Sequence, residues 1–560
     1  MYSLFTLLLA ANFLFPLKIH PLITSGFGEF RLLRFHAGMD FSTGGRTGFP
    51  VYAAADGRVV RIRASYWGYG KVIYFQDDST GHIFVYAHLS RFRPELERYV
   101  YELQIKHQKY RINDFPKDTF HFKKGELLAW TGKTGTRSPH LHFEIRNKEN
   151  EPINPFFLYR LPDTTTPDID SFRIVSCKNG EVFSKAQAKD GIILYAKKPF
   201  IIEAIAYDPV DNGNVTAPYK IELWHGSDLV YAVEFDTFNY SYQRASAVFY
   251  SLEGARFGKK WIRLCNPPGF TNPFQITSPE CYKDFGHYKI VVSDFYGHKR
   301  SISFYVKNGE EPPDTLKWDF TTGHLKLRFS TDAIYARGSF KLLAGKVRKR
   351  FKNGIARLDG RERIVLVSGK DTLKILKRTI PVRGGYVELG PYTIGVVDKG
   401  VLYNSNVYYM HFRDRDYIYP VVLPINRKIT MIRLTPEKVG IFNFDKRHKK
   451  WDFVGKDTTR LLTLGTFKLL KDTEPPTAKF VKITTKRIEI RVHDNLSGIN
   501  SDSISFYLDG KWQPVHYYFD LKLLVYEPPF RIKKGKHSYK LVIADPLGNK
   551  KELKGTIVVR

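Results

Sequence analysis

Cysteine is almost missing from this chain, with three thiols in 560 residues. That excludes a disulfide-built scaffold and a Cys-rich zinc module. Acidic side chains are in deficit, 56 Asp and Glu against 88 Lys and Arg, which leaves a formal charge of +32. The imbalance admits nucleic acid, membrane surface or acidic polymers as partners and says nothing about chemistry. No apolar run reaches the roughly 20 residues that a membrane-spanning helix needs. Helix-borne HExxH, the zinc motif with a Glu base, is also absent. What is present is 43% hydrophobic and 15% aromatic residues, enough to bury real cores and to exclude wholesale disorder. The length suggests three or four domains.

Three stretches of acid, Thr and Pro punctuate the chain: Asp163-Thr-Thr-Thr-Pro167, Glu310-Glu-Pro-Pro313 and Asp472-Thr-Glu-Pro-Pro476. Such segments suit extended linkers and neither helices nor central strands. They predict a first domain over residues 18–162 and three more over 163–310, 314–471 and 473–560. The ends of the second and fourth match in pattern. Ile290-Val-Val-Ser-Asp-Phe-Tyr-Gly297 and Leu541-Val-Ile-Ala-Asp-Pro-Leu-Gly548 each lead a β-branched run through an Asp into a Gly turn, followed by a second strand. This resembles the last hairpin of bacterial immunoglobulin-like sandwiches, and Asp494-Asn-Leu-Ser-Gly498 adds to the likeness. The fold class expected is mainly β: an N-terminal antiparallel sheet domain followed by three β-sandwich-like domains. Asp494, Asp502 and Asp545 can in principle bind calcium, but ordinary turn roles are the better reading.

Tyr2–Phe15 is an uncharged apolar run with Ala10 and Ala11 near a possible cleavage point. It reads as a signal peptide or N-terminal anchor over residues 1–17, although no Lys or Arg precedes it; a buried N-terminal strand is the alternative. In an oxidising compartment Cys265 and Cys281 can pair and leave Cys177 free; three separate buried thiols stand level with that reading.

Chemistry concentrates in the first domain. In His36-Ala-Gly-Met-Asp40 an extended backbone puts His36 and Asp40 on one face, with Gly38 between them adding no bulk. Imidazole and carboxylate together suit Zn²⁺. In His140-Leu-His-Phe-Glu-Ile145, alternation places His140, His142 and Glu144 on one face and Leu141, Phe143 and Ile145 on the other. Two imidazoles side by side let one bind a metal while the other works beside it. Tyr86-Ala-His-Leu89 ends a strand on His88, which alone would be read as a satisfied core histidine. Thr131-Gly-Lys-Thr-Gly135 imitates a phosphate loop, but Leu127 stands where a Walker Gly is required.

Taken in order, these motifs resemble the lysostaphin-type (LytM-type) zinc metallo-endopeptidases that cleave peptide bonds of bacterial peptidoglycan. Ser25-Gly-Phe-Gly28, Val51-Tyr-Ala-Ala-Ala-Asp-Gly57, Trp67-Gly-Tyr-Gly70 and Lys124-Gly-Glu126 extend the likeness over about residues 21–158. The resemblance implies that His36, Asp40 and His142 bind Zn²⁺ and that His88 and His140 handle the proton of the attacking water. Glu144 would orient a ligand. It further implies an exported enzyme of the periplasm or cell envelope acting on peptidoglycan in cell-wall remodelling. The alternative is a non-catalytic envelope scaffold or activator of other wall hydrolases. Two departures stand out. Phe30 occupies a position where some members carry a Tyr thought to stabilise the oxyanion. Residues 90–122 are also longer than in compact members, and Pro94–Lys106 has helical spacing; such a helix would narrow the cleft or serve as a packing clasp. Over half of the excess positive charge lies in residues 314–471. That domain is a candidate surface for anionic envelope polymers or a membrane, and equally a solvated face; no nucleic-acid partner is expected.

Overall fold

The computed structural model describes residues 13–31, 34–161, 163–178, 180–210, 213–251, 260–266, 272–309, 318–322, 325–329, 334–344, 347–358, 362–381, 384–396, 405–420, 423, 428–434, 439–461 and 463–560. The chain is mainly β, as expected. The signal-or-anchor reading falls largely on residues 1–12, outside the described residues. From Phe13 onward the chain packs on the first domain: Phe13 meets Phe84 edge-on at 5.0 Å, and the Leu14 N–H donates to the Ala54 carbonyl. Among the described residues no helix is long and apolar enough to cross a membrane.

The first domain is one antiparallel sheet. Its strands are β1 (Ile23–Ser25), β2 (Met39–Ser42), β3 (Pro50–Tyr52), β4 (Gly57–Ala64), β5 (Lys71–Asp77) and β6 (Ile83–Phe92), then, after helix α1 (Pro94–His107), β7 (Ile112–Asp114), β8 (His121–Phe122), β9 (Leu127–Thr131), β10 (His140–Arg146) and β11 (Pro152–Ile153). The order is β1-β2-β10-β6-β5-β4-β7. The alternation of β10 explains its central place. Leu141, Phe143 and Ile145 are fully buried, and Phe143 stacks on Phe84 of β6. The opposite face carries the polar side chains. Register sets His142 opposite Asp40 of β2 on one side and Ala87 of β6 on the other.

Helix α1 begins with Pro94 in its first turn, has Glu95 and Glu97 there, and buries Leu96 and Val100. Its contacts are packing contacts. Glu97 accepts the Phe92 N–H and pairs with Lys71, and Tyr101 donates to Gln513 of the last domain.

The second and fourth domains repeat one topology. In the second, Asp168–Ser176, Phe200–Pro209 and Trp261–Arg263 form consecutive neighbours of one sheet, and Asp228–Glu234, Lys220–His225, Gly286–Ser293 and Lys299–Asn308 are consecutive in the other. In the fourth, the corresponding strands are Thr477–Ile483, Ile488–His493 and Leu523–Tyr526, against Lys511–Gln513, Ser505–Leu508, Gly535–Ala544 and Lys550–Val559. The third domain is built of a long sheet and a four-stranded one. Its basic residues Arg348, Lys349 and Arg350, and the turn Lys446–Lys450, are exposed.

Both repeated domains pack against the first. Phe27, Phe30 and Phe35 enter the core of the second domain beside Phe235, Phe238 and Phe274. On the other flank Tyr66 stacks on Tyr110, its hydroxyl donating to the Val515 carbonyl, and His516 Nδ1 lies 2.6 Å from the Tyr110 hydroxyl. Trp67 packs on Phe519 and Lys133 pairs with Asp520.

The cysteine expectation is corrected. Cys177 bonds Cys281, and Cys265 is a free, buried thiol. Sequence proximity favoured Cys265 with Cys281. The sheet instead brings residues 177 and 281 to the two sides of the Pro199-Phe200 backbone, where the Cys177 N–H donates to Pro199 and Tyr282 bridges Phe200.

Candidate metal centre

The sheet assembles five side chains at one place. His36 precedes β2, Asp40 lies on it, His88 lies late on β6, and His140 and His142 stand on β10. Gly38 permits the approach: a Cβ there would lie 2.2 Å from the Phe143 carbonyl. His36 Nε2 is 3.0 Å from His142 Nδ1 and 3.2 Å from Asp40 Oδ1, and His142 Nδ1 is 2.8 Å from Asp40 Oδ1. Together they form a group able to hold a metal ion.

The outer contacts decide which atoms face inward. His36 Nδ1 lies 2.7 Å from the Gly26 carbonyl, so this nitrogen carries the proton and Nε2 turns its lone pair inward. His142 Nε2 lies 2.8 Å from Glu144 Oε1, which leaves Nδ1 facing Asp40. Two imidazole lone pairs and a carboxylate oxygen therefore converge, a donor set that fits Zn²⁺; their separations approach the ~3.3 Å spacing of ligand atoms around tetrahedral zinc. The electrostatics agree. Burial alone would raise the Asp40 carboxyl, but His36 and His142 hold it well below the usual range. Burial alone would lower the His142 imidazole, but hydrogen bonds accepted by the Asp40 and Glu144 carboxylates push it up to about 9. The place attracts positive charge, of which a proton is the smallest instance.

His88 and His140 stand beside this group, their rings 4.6 Å apart. His88 Nδ1 meets the Thr134 carbonyl at 2.9 Å, and His140 Nδ1 meets the Ser138 carbonyl at 2.8 Å. In both rings the proton sits on Nδ1 and Nε2 is left as an acceptor. Burial, then the neighbouring imidazoles, depress His88 to about 3; burial also lowers His140. Both are neutral at pH 7, with Nε2 free to accept a hydrogen bond.

Sequence reading placed these five residues and found Glu144, but missed what surrounds them. Glu144 is fully buried, takes both Arg146 Nε and Nη2, and receives the Tyr69 and Tyr240 hydroxyls. Its carboxyl, which burial would raise, is held at about 2 by Arg146 and His142. Carrying the β10 alternation two residues further would have found Arg146. Tyr240 comes from the second domain, and no local signal announces it. Phe30 is buried against Tyr250 and away from the metal group, whereas its neighbour Arg31 reaches Asp40 Oδ2 at 3.4 Å and is partly exposed.

Residues 34–104 match the sequence profile of peptidase family M23, a stretch holding His36, Asp40 and His88. A curated relative, lipoprotein NlpD of Yersinia enterocolitica, is 30% identical over 111 residues, which covers 20% of this chain and 90% of the relative. Among solved structures, the catalytic domain of lysostaphin from Staphylococcus simulans is 24% identical over 23% of this chain and 86% of that one, with a TM-score of 0.18. The prophage-encoded M23 protein EnpA from Enterococcus faecalis is 23% identical over 24% and 89%, also at 0.18. On the sequence matches, this chain belongs to peptidase family M23.

Proposed function

We propose that the chain is an exported zinc metallo-endopeptidase that hydrolyses peptide bonds in the cross-links or stem peptides of peptidoglycan. One observation carries the reading: three inward-facing ligand atoms of His36, Asp40 and His142 lie within 3.2 Å of one another, beside two neutral imidazoles. His36, Asp40 and His142 hold the metal. When bound, zinc supplies Lewis acidity that polarises a carbonyl and acidifies a water.

The chain's own groups do the rest. Glu144 fixes the His142 tautomer and is itself fixed by Arg146, so the ligand ring cannot turn. Thr134 and Ser138 hold the rings of His88 and His140 with their acceptor nitrogens free. One or both imidazoles take or orient the proton of the attacking water and help protonate the leaving amine. Arg31, paired with Glu29 at 3.0 Å and reaching Asp40 at 3.4 Å, steadies the Asp40 carboxylate. The basic third domain would hold the enzyme to anionic envelope polymers or a membrane surface. The convergence of all five side chains favours hydrolysis over the alternative reading, a non-catalytic envelope scaffold or activator of other wall hydrolases.

His142→Ala should lose both bound zinc, by metal analysis, and release of soluble peptides from purified sacculi. Full activity in that variant would overturn the assignment.

A further inference from the structure

The second and fourth domains place three carboxylates at the same three junctions. The first, Asp163 or Asp472, lies in the linker five residues before the opening strand. Next come Asp208 and Asp494, at or just past the end of the following sheet-one strand, Phe200–Pro209 or Ile488–His493. Last are Asp294 and Asp545, immediately after the penultimate strand, Gly286–Ser293 or Gly535–Ala544. Local bonding repeats too. Asp163 accepts the Thr165 N–H as Asp472 accepts that of Glu474, and Asp294 accepts the His298 N–H as Asp545 accepts that of Asn549. Of the three residues the calcium reading of the sequence named, Asp502 is elsewhere, paired with Arg111, and Asp472 takes its place.

Both clusters have features that turn interactions alone do not explain. In the fourth domain, carboxylate oxygens of Asp472, Asp494 and Asp545 lie within 4.8 Å of one another, and the buried Asp494 Oδ2 has no partner. In the second the three carboxylates stand further apart, but Asp208 is 6% exposed and its buried Oδ1 has no partner. Asp163 and Asp208 line a cavity of about 20 Å³ that Gly26, Asn154 and Thr216 also border, room for one water-sized occupant. Burial, then Asp163 and Asp294, push the Asp208 carboxyl up to about 8. Among the described residues none of the six carboxylates forms an ion pair with a Lys or Arg, in a chain with a formal charge of +32. Asp294 meets the His298 imidazole, and a buried carboxyl without a cationic partner either keeps its proton, as the raised Asp208 does, or takes a cation from outside.

We propose that each of these two domains binds a hard divalent cation of the calcium class, held by Asp163, Asp208 and Asp294 in the second domain and by Asp472, Asp494 and Asp545 in the fourth. Oxygen-only ligands select calcium over zinc, and the imidazole-rich centre of the first domain does not compete for it. The second-domain ion would lie where that domain meets β1 and β2, since Ile23 and Met39 line the same cavity.

The zinc-loaded full chain, freed of calcium on chelating resin, tests this by equilibrium dialysis with radioactive calcium. About two equivalents bind at roughly 1 mM free ion, a range usual for weak extracellular sites. Asp208→Asn and Asp494→Asn each lose one, and the double variant binds none, with zinc content unchanged in all. Asn keeps the carboxylate's shape and drops its charge, so these variants fold; in calcium-free buffer they melt at or above the parent. Calcium raises the melting temperature of the parent chain and not of the double variant. Binding of no calcium at about 5 mM, or equal binding by the double variant, overturns the proposal. Displacement of calcium by an equal concentration of magnesium overturns the calcium assignment.

Discussion

At the residue scale the centre depends on Glu144, a buried carboxylate shared between His142 and Arg146. Glu144→Gln keeps the size but leaves a buried guanidinium without its charge. The expected loss is about 3 kcal/mol of stability and a 10–100-fold weaker hold on zinc. Chemical denaturation and competition against a zinc chelator read the two effects separately. Period-2 alternation and a single glycine suggested which of His36, Asp40, His140 and His142 share a face, while their roles as ligands and proton carriers came only from the likeness to a known family. Arg146 was within reach of the same rule. Tyr69 carried no role in the sequence although its motif was seen; its hydroxyl finds Glu144 only once β5 lies near β10. Tyr240 lies 96 residues beyond Glu144 and in another domain, so nothing local could point to it.

At the element scale the His88 imidazole is set by a turn. Thr134, whose carbonyl meets His88, sits between Gly132 and Gly135, and this turn bridges the Trp67–Gly70 loop. Gly70 has φ +62°, and a Cβ there would lie 2.1 Å from the Thr134 carbonyl oxygen. Gly70→Ala therefore both strains the loop, by about 1–3 kcal/mol, and displaces the oxygen that fixes the His88 tautomer. Peptide hydrolysis should fall at least ~10-fold while zinc content stays at one equivalent, because no ligand moves; metal analysis beside a turnover assay decides it. The phosphate-loop imitation Thr131–Gly135 proves to be this turn, as its missing Walker glycine implied. Helix α1 was legible from its Pro and apolar spacing to within a residue of its end. What it packs against was not, because Gln513 is over 400 residues away.

At the scale of the whole molecule, the fourth domain closes onto the first through His516. Its imidazole is buried and pushed down to about 3, by burial and then by Lys71 and Arg487. Its folded-state pKa is depressed, so the unfolded chain binds the extra proton between about pH 6.5 and 3. The stabilisation is complete above about pH 6.5 and is lost as the pH falls toward 3. Thermal melts of the full chain should show the transition drop on acidification; His516→Gln should flatten that slope, while His88 and His140 keep their share of it. The likeness of the two closing hairpins was legible in the sequence, but this docking was not, since composition does not reveal which surfaces meet. Nor was the Cys177–Cys281 pairing, which depends on strands more than 100 residues apart.

The docking of the last domain on the first is intramolecular, which changes how strong it has to be. A tether holds its partner at an effective concentration near the millimolar range when its span fits. Contacts as modest as Trp67 on Phe519 and Lys133 on Asp520 then suffice to keep the fourth domain beside the turn that fixes His88. A single cut in the linker at Thr473–Pro475, whose three residues are exposed, would convert that contact into an ordinary encounter between two molecules. The joint would then rest on the buried seam of Tyr66, Tyr110 and His516 and on protein concentration, so proteolysis at one distant peptide bond would make the surroundings of the metal centre concentration-dependent without touching any residue that builds it.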